Sequence, residues 1–292
     1  MGILPQPTPR VAWSDRLDIL TEVLDALQLK ATAIRRVGIS AAHRVVVEQS
    51  HATLLILTEG GCAATASVGR YGLVANDCLL LVGSRAAELA NDASVPATVI
   101  ECGFSLRADL PHPFARQLPS ELHVGSGNLI DRVELGRSTA LLDGELVNSP
   151  FGVEFVAARL AEVAFVDVLR KRQLDAQVEP SFLGALADAP VRAALESIHC
   201  EPRRAWRVHE LAAVTGLSRG AFADRFHRLV GEPPLRYLRS WRLLNARRSL
   251  ARGSVAVRTV AERAGYRSAN GFSRAFRRFF GESPSATRGR AR

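Results

Sequence analysis

The run AERAGYRSANGFSRAFRRFFGESP (residues 261–284) holds five arginines and four phenylalanines. A second, weaker version, VHELAAVTGLSRGAFADRFHRLVGEPP (residues 208–234), lies about fifty residues upstream. Aligned, Ala212 matches Ala261 and Gly216 matches Gly265, both at an offset of 49. Phe222, Phe226, Gly231 and Pro234 match Phe272, Phe276, Gly281 and Pro284 at an offset of 50. The downstream unit therefore carries one extra residue in its turn.

Each unit follows the grammar of two helices joined by a tight turn. Ala212 and Ala261 leave room for a second helix to approach. Gly216 and Gly265 end the first helix, where a left-handed cap favours glycine. Leu217 or Tyr266 fills the angle, and Ser218 or Ser268 can cap the next helix by accepting a free amide. In that second helix Phe222 and Phe226, or Phe272 and Phe276, stand four apart and share an inward face. The helix-turn-helix core is thus Ala212, Gly216, Phe222, Phe226, Ala261, Gly265, Phe272 and Phe276, and the arginines take the outer face. A glycine and then a proline stop each second helix.

The charge is distributed unevenly along the 292 residues. The whole chain carries +9. Residues 201–292 contain 21 arginines and no lysine against six acids, a charge of +15, and the first 200 residues carry −6. A basic third fused to a mildly acidic remainder implies a polyanion-binding domain joined to another function. Between the two units, LRYLRSWRLLNARRSLARG (residues 235–253) places Leu235, Leu238, Trp241, Leu244 and Leu250 at helical spacing. A rod of about 17 residues spans roughly 25 Å. It can hold two recognition helices about one DNA turn apart, roughly 34 Å, in successive major grooves.

These residues resemble the signature of AraC/XylS-type transcription regulators: Ala261, Gly265 and Tyr266, then Phe272-Ser273-Arg274 and Phe276, then Gly281, Ser283, Pro284 and Arg288. The resemblance covers residues 203–288. Upstream, ECGFSLRADLPHPFARQLPSELHV (residues 101–124) and NDCLLLVG (residues 76–83) resemble the cupin-type ligand domain often joined to it. Where that domain usually has glycine this chain has Asn76, and VGSRAAE (residues 82–88) lacks the domain's histidine. The resemblance implies a one-component regulator that binds promoter DNA, senses a small molecule or a stress, forms a homodimer and meets RNA polymerase.

For the downstream unit, Asn270, Ser273 and Arg274, with Gly271 beside them, face away from the phenylalanines and can enter a groove. Arg274 can fork onto guanine and Asn270 can pair with adenine. Arg277 and Arg278 are assigned to phosphates, which position without specifying sequence. The upstream counterparts are Gly220, Ala223 and Asp224, with Arg219, Arg225 and Arg228 around them. Asp224 either accepts from a cytosine amine or pairs with Arg225 or Arg228 inside the domain. The downstream unit should therefore specify more of the site.

Before residue 126 the texture is of short strands: residues 44–49, 53–60, 62–69, 78–83 and 97–104, bounded by turn signals. Residues 20–27 read as a short amphipathic helix, and residues 129–146, 151–174 and 191–199 as helices. The 151–174 segment is apolar on more than one side, which suits a buried or dimerising helix. The fold class expected is α+β, an antiparallel cupin-like barrel with a helical extension and an all-α double helix-turn-helix domain. The expected division is 15–125 for the sensor domain, 126–200 for the helical and dimerising region, and 201–292 for the DNA-binding domain.

The sequence offers little for catalysis. His43 and Glu48 differ by an odd number of positions, so a strand sends them to opposite faces. With His51 they make no metal site. Cys62, Cys78, Cys102 and Cys200 lack metal or disulfide spacing, as in a reducing cytosol. Because related regulators include redox sensors, Cys102 is the candidate sensing thiol. No cofactor, catalytic residue, signal peptide or membrane span is expected, and the chain is placed in the cytoplasm. The competing readings are a cupin metalloenzyme tethered by its basic domain and an architectural protein indifferent to DNA sequence.

Overall fold

The computed structural model describes residues 18–47, 50–83, 87–106, 112–125, 129–149, 151–175, 180–253 and 255–289. Glu48 and residues 84–86, on which two readings above rest, lie outside them.

Asp18 opens the described chain by accepting from the Leu20 and Thr21 amides, which caps α1 (Ile19–Ala26). Nine strands follow: β1 (Lys30–Ile39), β2 (Arg44–Val47), β3 (Ala52–Glu59), β4 (Gly61–Thr65), β5 (Arg70–Val74), β6 (Cys78–Val82), β7 (Ala87–Ala90), β8 (Ala97–Ser105) and β9 (Glu121–Val124). They form two antiparallel sheets, ordered β1-β8-β3-β6-β9 and β2-β7-β4-β5. The short helix α2 (Pro113–Gln117) precedes β9. This is the antiparallel cupin-like architecture expected, although β1, β5, β7 and β9 are strands that the apolar pattern did not mark.

Alternate residues of a strand point to opposite faces, and the five-stranded sheet buries both. Leu55, Leu57, Leu79, Leu81 and Val99 face the second sheet, where Val47, Ala64, Leu73 and Leu89 complete an aliphatic interior. Leu54, Ile56, Cys78, Leu80, Ile100, Cys102 and Phe104 face the helices. This two-sided burial explains why β3, β6 and β8 read as nearly unbroken apolar runs. Among the described residues no group of three histidine, cysteine or acidic side chains could hold a metal ion.

The helical layer is α3 (Leu129–Asn148), α4 (Val153–Asp175), α5 (Phe182–Ala187) and α6 (Ala189–Cys200). Phe165 of α4 packs on Phe104 of β8 with ring centres 5.0 Å apart. Arg36 of β1 pairs with Asp143 of α3 at 2.8 Å, and Glu162 of α4 accepts from the Ala31 amide at 3.3 Å. Buried Ala157, Ala161, Ala164, Val168 and Leu169 form the inward face of α4. Phe155 and Val163, two further apolar residues of the 151–174 segment, are exposed.

The last third is α7 (Val208–Thr215), α8 (Arg219–Val230), α9 (Pro234–Ala251), α10 (Val257–Arg263), α11 (Ala269–Phe280) and α12 (Pro284–Gly289). The central rod α9 is 18 residues long, about 27 Å at 1.5 Å per residue. It is buried on more than one side, with Tyr237, Leu238, Trp241, Leu243, Leu244 and Leu250 inside. Leu235 departs from the expected pattern and is exposed.

The apolar clusters cut across the change in composition near residue 200. Leu211, Ala212, Phe222, Phe226, Tyr237 and Trp241 join one continuous core with α1, the first sheet and α4 to α6. Leu243, Ala246, Leu250, Val260, Ala261, Phe272 and Phe276 form a separate core. The upstream helix-turn-helix unit is thus built onto the sheet-bearing half, and α9 carries the downstream unit beyond it.

Candidate nucleic-acid interface

In the upstream unit the Glu210 carboxylate accepts from the Arg207 amide at 2.7 Å and from the Arg204 guanidinium at 3.1 Å. The Arg207 amide first, then Arg204, hold that carboxyl below its usual range. Gly216 adopts φ +70°, the left-handed conformation a helix C-cap requires. The Ser218 hydroxyl then accepts from the Ala221 amide at 3.3 Å and starts α8. Phe222 and Phe226 are fully buried, with ring centres 5.6 Å apart, and Phe226 meets Tyr237 of α9 at 5.9 Å.

The downstream unit repeats the device. Gly265 takes φ +78°, and the Ser268 hydroxyl accepts from the Gly271 amide at 3.1 Å. The turn between glycine and cap is one residue longer, as the slip in offset requires. Tyr266 packs edge-on against Phe272 at 5.5 Å. Phe272 and Phe276 are fully buried and 5.4 Å apart. Phe279 and Phe280 are both half-buried, and Phe280 lies 4.5 Å from Phe276. Arg247 of α9 lies over the Phe280 ring at 4.9 Å and pairs with Glu282 at 2.8 Å, which latches the end of α11 to the rod.

The outer faces carry the side chains picked out for DNA. On α11, Asn270, Arg274, Arg277 and Arg278 are exposed, and Gly271 and Ser273 are half-buried. On α8, Arg219, Gly220, Asp224 and Arg228 are exposed and Ala223 is half-buried. The downstream helix therefore presents four long or amide-bearing side chains to solvent, and the upstream helix two arginines and an acid.

Asp224 makes no ion pair among the described residues. Arg225, its expected partner, is instead committed to Asp188, the N-cap residue of α6, with the shortest contact at 2.6 Å. Arg228 is likewise exposed and makes no ion pair among the described residues. The internal ion pair that was the alternative role for Asp224 is therefore not formed.

Sequence reasoning missed how α8 is held from behind. Besides Arg225 with Asp188, Arg116 of α2 pairs with buried Glu232 at 3.5 Å. The Gln117 amide of α2 donates to the Leu229 carbonyl at 3.5 Å. Deeper in, the His199 ring bridges two elements: its Nδ1 lies 2.7 Å from Glu22 of α1 and its Nε2 2.7 Å from the Tyr237 hydroxyl of α9. It also stacks on Trp241 with centres 4.1 Å apart. These partners are separated by 37 to 177 residues, and no local pattern announces them.

Two readings upstream meet physical answers. Asn76, where the resembled domain has glycine, sits at φ +75° in a turn, a conformation asparagine tolerates better than most residues. Cys102 is fully buried against the helical layer, and burial pushes its thiol up to about 12. A thiol held in its neutral form behaves as a small apolar residue. That geometry argues against the sensing role considered for Cys102.

Comparison with known proteins bears on both halves. Residues 211–290 match the family described as a helix-turn-helix domain, and residues 18–172 match the family described as cupin. The chain is 36% identical, over 62% of its length and 60% of the other's, to an AraC-like transcription regulator of Streptomyces antibioticus. It is 26% identical, over 81% of its length and 84% of the other's, to the HTH-type transcriptional activator RclR of Escherichia coli strain K12. Among solved structures, ToxT of Vibrio cholerae strain SCE256 covers 88% of this chain and 94% of its own at 15% identity, with a TM-score of 0.38. The alignment spans 60% of the length of the first curated relatives, both from Streptomyces.

Proposed function

The chain belongs to the cupin family and carries a helix-turn-helix domain of AraC type behind it, and from that premise we propose that it is a sequence-specific DNA-binding transcription regulator. It acts in the cytoplasm as a one-component device without catalysis of its own. Its cupin half answers a small molecule or a stress, and its basic third reads promoter DNA. The observation that carries this reading is the partition of α11. Phe272 and Phe276 are wholly buried, whereas Asn270, Arg274, Arg277 and Arg278 stand exposed on a serine-capped helix. Such a helix enters a major groove with forked donors for base edges and cations for phosphates.

The basic third supplies the electrostatic footprint that holds a duplex, with strong salt dependence. Arg274 and Asn270 read bases, Arg277 and Arg278 hold phosphates, and α8 contributes a weaker reading surface through Arg219, Gly220, Ala223, Asp224 and Arg228. Among the described residues no helix is long and apolar enough to cross a membrane.

The same reading includes a homodimer formed through α3 and α4. Leu141, Val147, Phe151, Phe155 and Val163 are exposed on or beside that hairpin, and a second copy would cover them. RNA polymerase is the further partner. In vitro selection of DNA fragments by the full-length protein tests the proposal. The expected outcome is an enriched motif with two conserved blocks about one helical turn apart. Recovery of unrelated sequences with equal affinity would leave only an architectural role.

A further inference from the structure

The cleft between α9, α10 and the 202–203 segment has a volume of about 360 Å³ and a lining of one sign. Arg203, Arg242, Arg248, Arg252 and Arg263 line it, and no acidic residue does. Neither α8 nor α11 contributes to its wall, so the groove-facing helices do not account for it.

The compensation available to these five guanidinium groups is small. Arg248 pairs with Asp25 of α1 at 3.3 Å. Arg242 donates to the Pro202 and Arg204 carbonyls, which are neutral and leave its charge in place. Arg203, Arg252 and Arg263 make no ion pair among the described residues. Two helices end at the cleft, α9 with Arg252 as C-cap and α10 with Ala264. Each helix C-terminus presents about half a negative charge, so the two together supply about one. With Asp25 that offsets two of the five arginines, and about three positive charges remain.

We propose that this cleft is a binding site for a small, multiply charged anion of the phosphate class. Guanidinium forks match phosphate oxygens two at a time. Asn245 and Ser249, one turn apart on α9, add neutral donors to the same wall. The volume is at the lower end for small-molecule sites, which suits pyrophosphate or the phosphates of a nucleotide. Bound there, the anion bridges the 202–203 segment to the rod and to α10, and it competes with Asp25 for Arg248. The phosphate can belong to a free metabolite or to a DNA backbone.

Titration calorimetry of the full-length protein with inorganic pyrophosphate and with tripolyphosphate tests the site. The expected result is saturable binding of one anion per chain. Arg252→Ala with Arg263→Ala weakens it roughly tenfold or more, as loss of charge-assisted contacts requires. Both side chains are exposed and make no ion pair among the described residues, so the variant is expected to keep the wild-type melting temperature; Ser249→Asp is a second variant that fills the cleft with a negative charge. Anion binding that persists when the protein is saturated with its selected DNA identifies a free anion. Binding abolished by that DNA, together with weaker DNA affinity of the variants, identifies a DNA phosphate. Absence of saturable binding, or equal binding by wild type and both variants, overturns the proposal. The calorimetry with anion alone is independent of the promoter reading, which α11 variants test separately; only the two outcomes in the presence of DNA rest on that reading.

Discussion

Arg225 on α8 donates to Asp188, the residue that caps α6, through Nε and Nη2, with the shortest contact at 2.6 Å. One side chain of α8 is thus spent on the helical layer of the cupin half. Asp188 simultaneously accepts from the Val191 amide at 3.1 Å, so the cap and the tie share one carboxylate.

Arg225→Ala should therefore loosen the upstream unit without unfolding the chain. The pair is partly exposed, so its loss costs about 0.5–1 kcal/mol. Amides of α8 should exchange faster with solvent, while those of β3 and β8 keep their protection. Unchanged exchange along α8 would show that the apolar contacts alone hold it.

Arg274→Ala should cost roughly 1–3 kcal/mol at one base position and relax preference there. Arg277→Ala should instead weaken all sequences about equally and lower the salt slope by about one. Parallel binding-site selections and salt titrations on the two variants separate base reading from phosphate holding. Full discrimination at every position in Arg274→Ala refutes its assignment.

Phe276→Ala removes a wholly buried ring and should cost about 3–5 kcal/mol. Because its core is separate from the one under α8, the loss should fall on α10 and α11. Hydrogen exchange should show α11 opening while α7 and α8 stay protected. Uniform loss of protection across both units would mean that the two cores fold as one.

Acid should destabilise the protein through two buried histidines. Burial, reinforced by His199 and Arg116, lowers His112 to about 3, and burial also lowers His199 against the opposing pull of Glu22. Both hold a proton less readily when folded than when unfolded, so the unfolded chain binds more protons below about pH 6.5. Stability is complete above that pH and is lost as pH falls toward 3, by about 2 kcal/mol at pH 5 for His112 alone. Denaturant unfolding across this range checks the sign, and His112→Phe should flatten the slope.

The two helix-turn-helix units were legible because their physics is local. A cap, a left-handed glycine and phenylalanines four apart act within a dozen residues, and duplication makes the pattern visible twice. The outer faces followed, since a helix with one dry face has one wet face. Strand β1 was hidden because Arg35 and Arg36 interrupt its alternation. Pairing explains them: Arg35 meets Glu101 across the ladder at 3.0 Å, and Arg36 reaches Asp143. The rod was read with one wrong apolar position, Leu235, because its buried side faces two different cores at its two ends.

The sequence by itself determined the repeated turn, the buried phenylalanine face and the arginine-rich outer surface, since each depends on neighbours a few bonds or one helical turn away. Tertiary structure decided that the first helix-turn-helix unit shares its core with the sheet-bearing half, and how α8 is held. It also decided which arginines are spent on Asp188, Glu232 and Asp25 and which remain for an anion. Those outcomes depend on partners brought together from distant points of the chain, whose separation leaves no period or spacing to read.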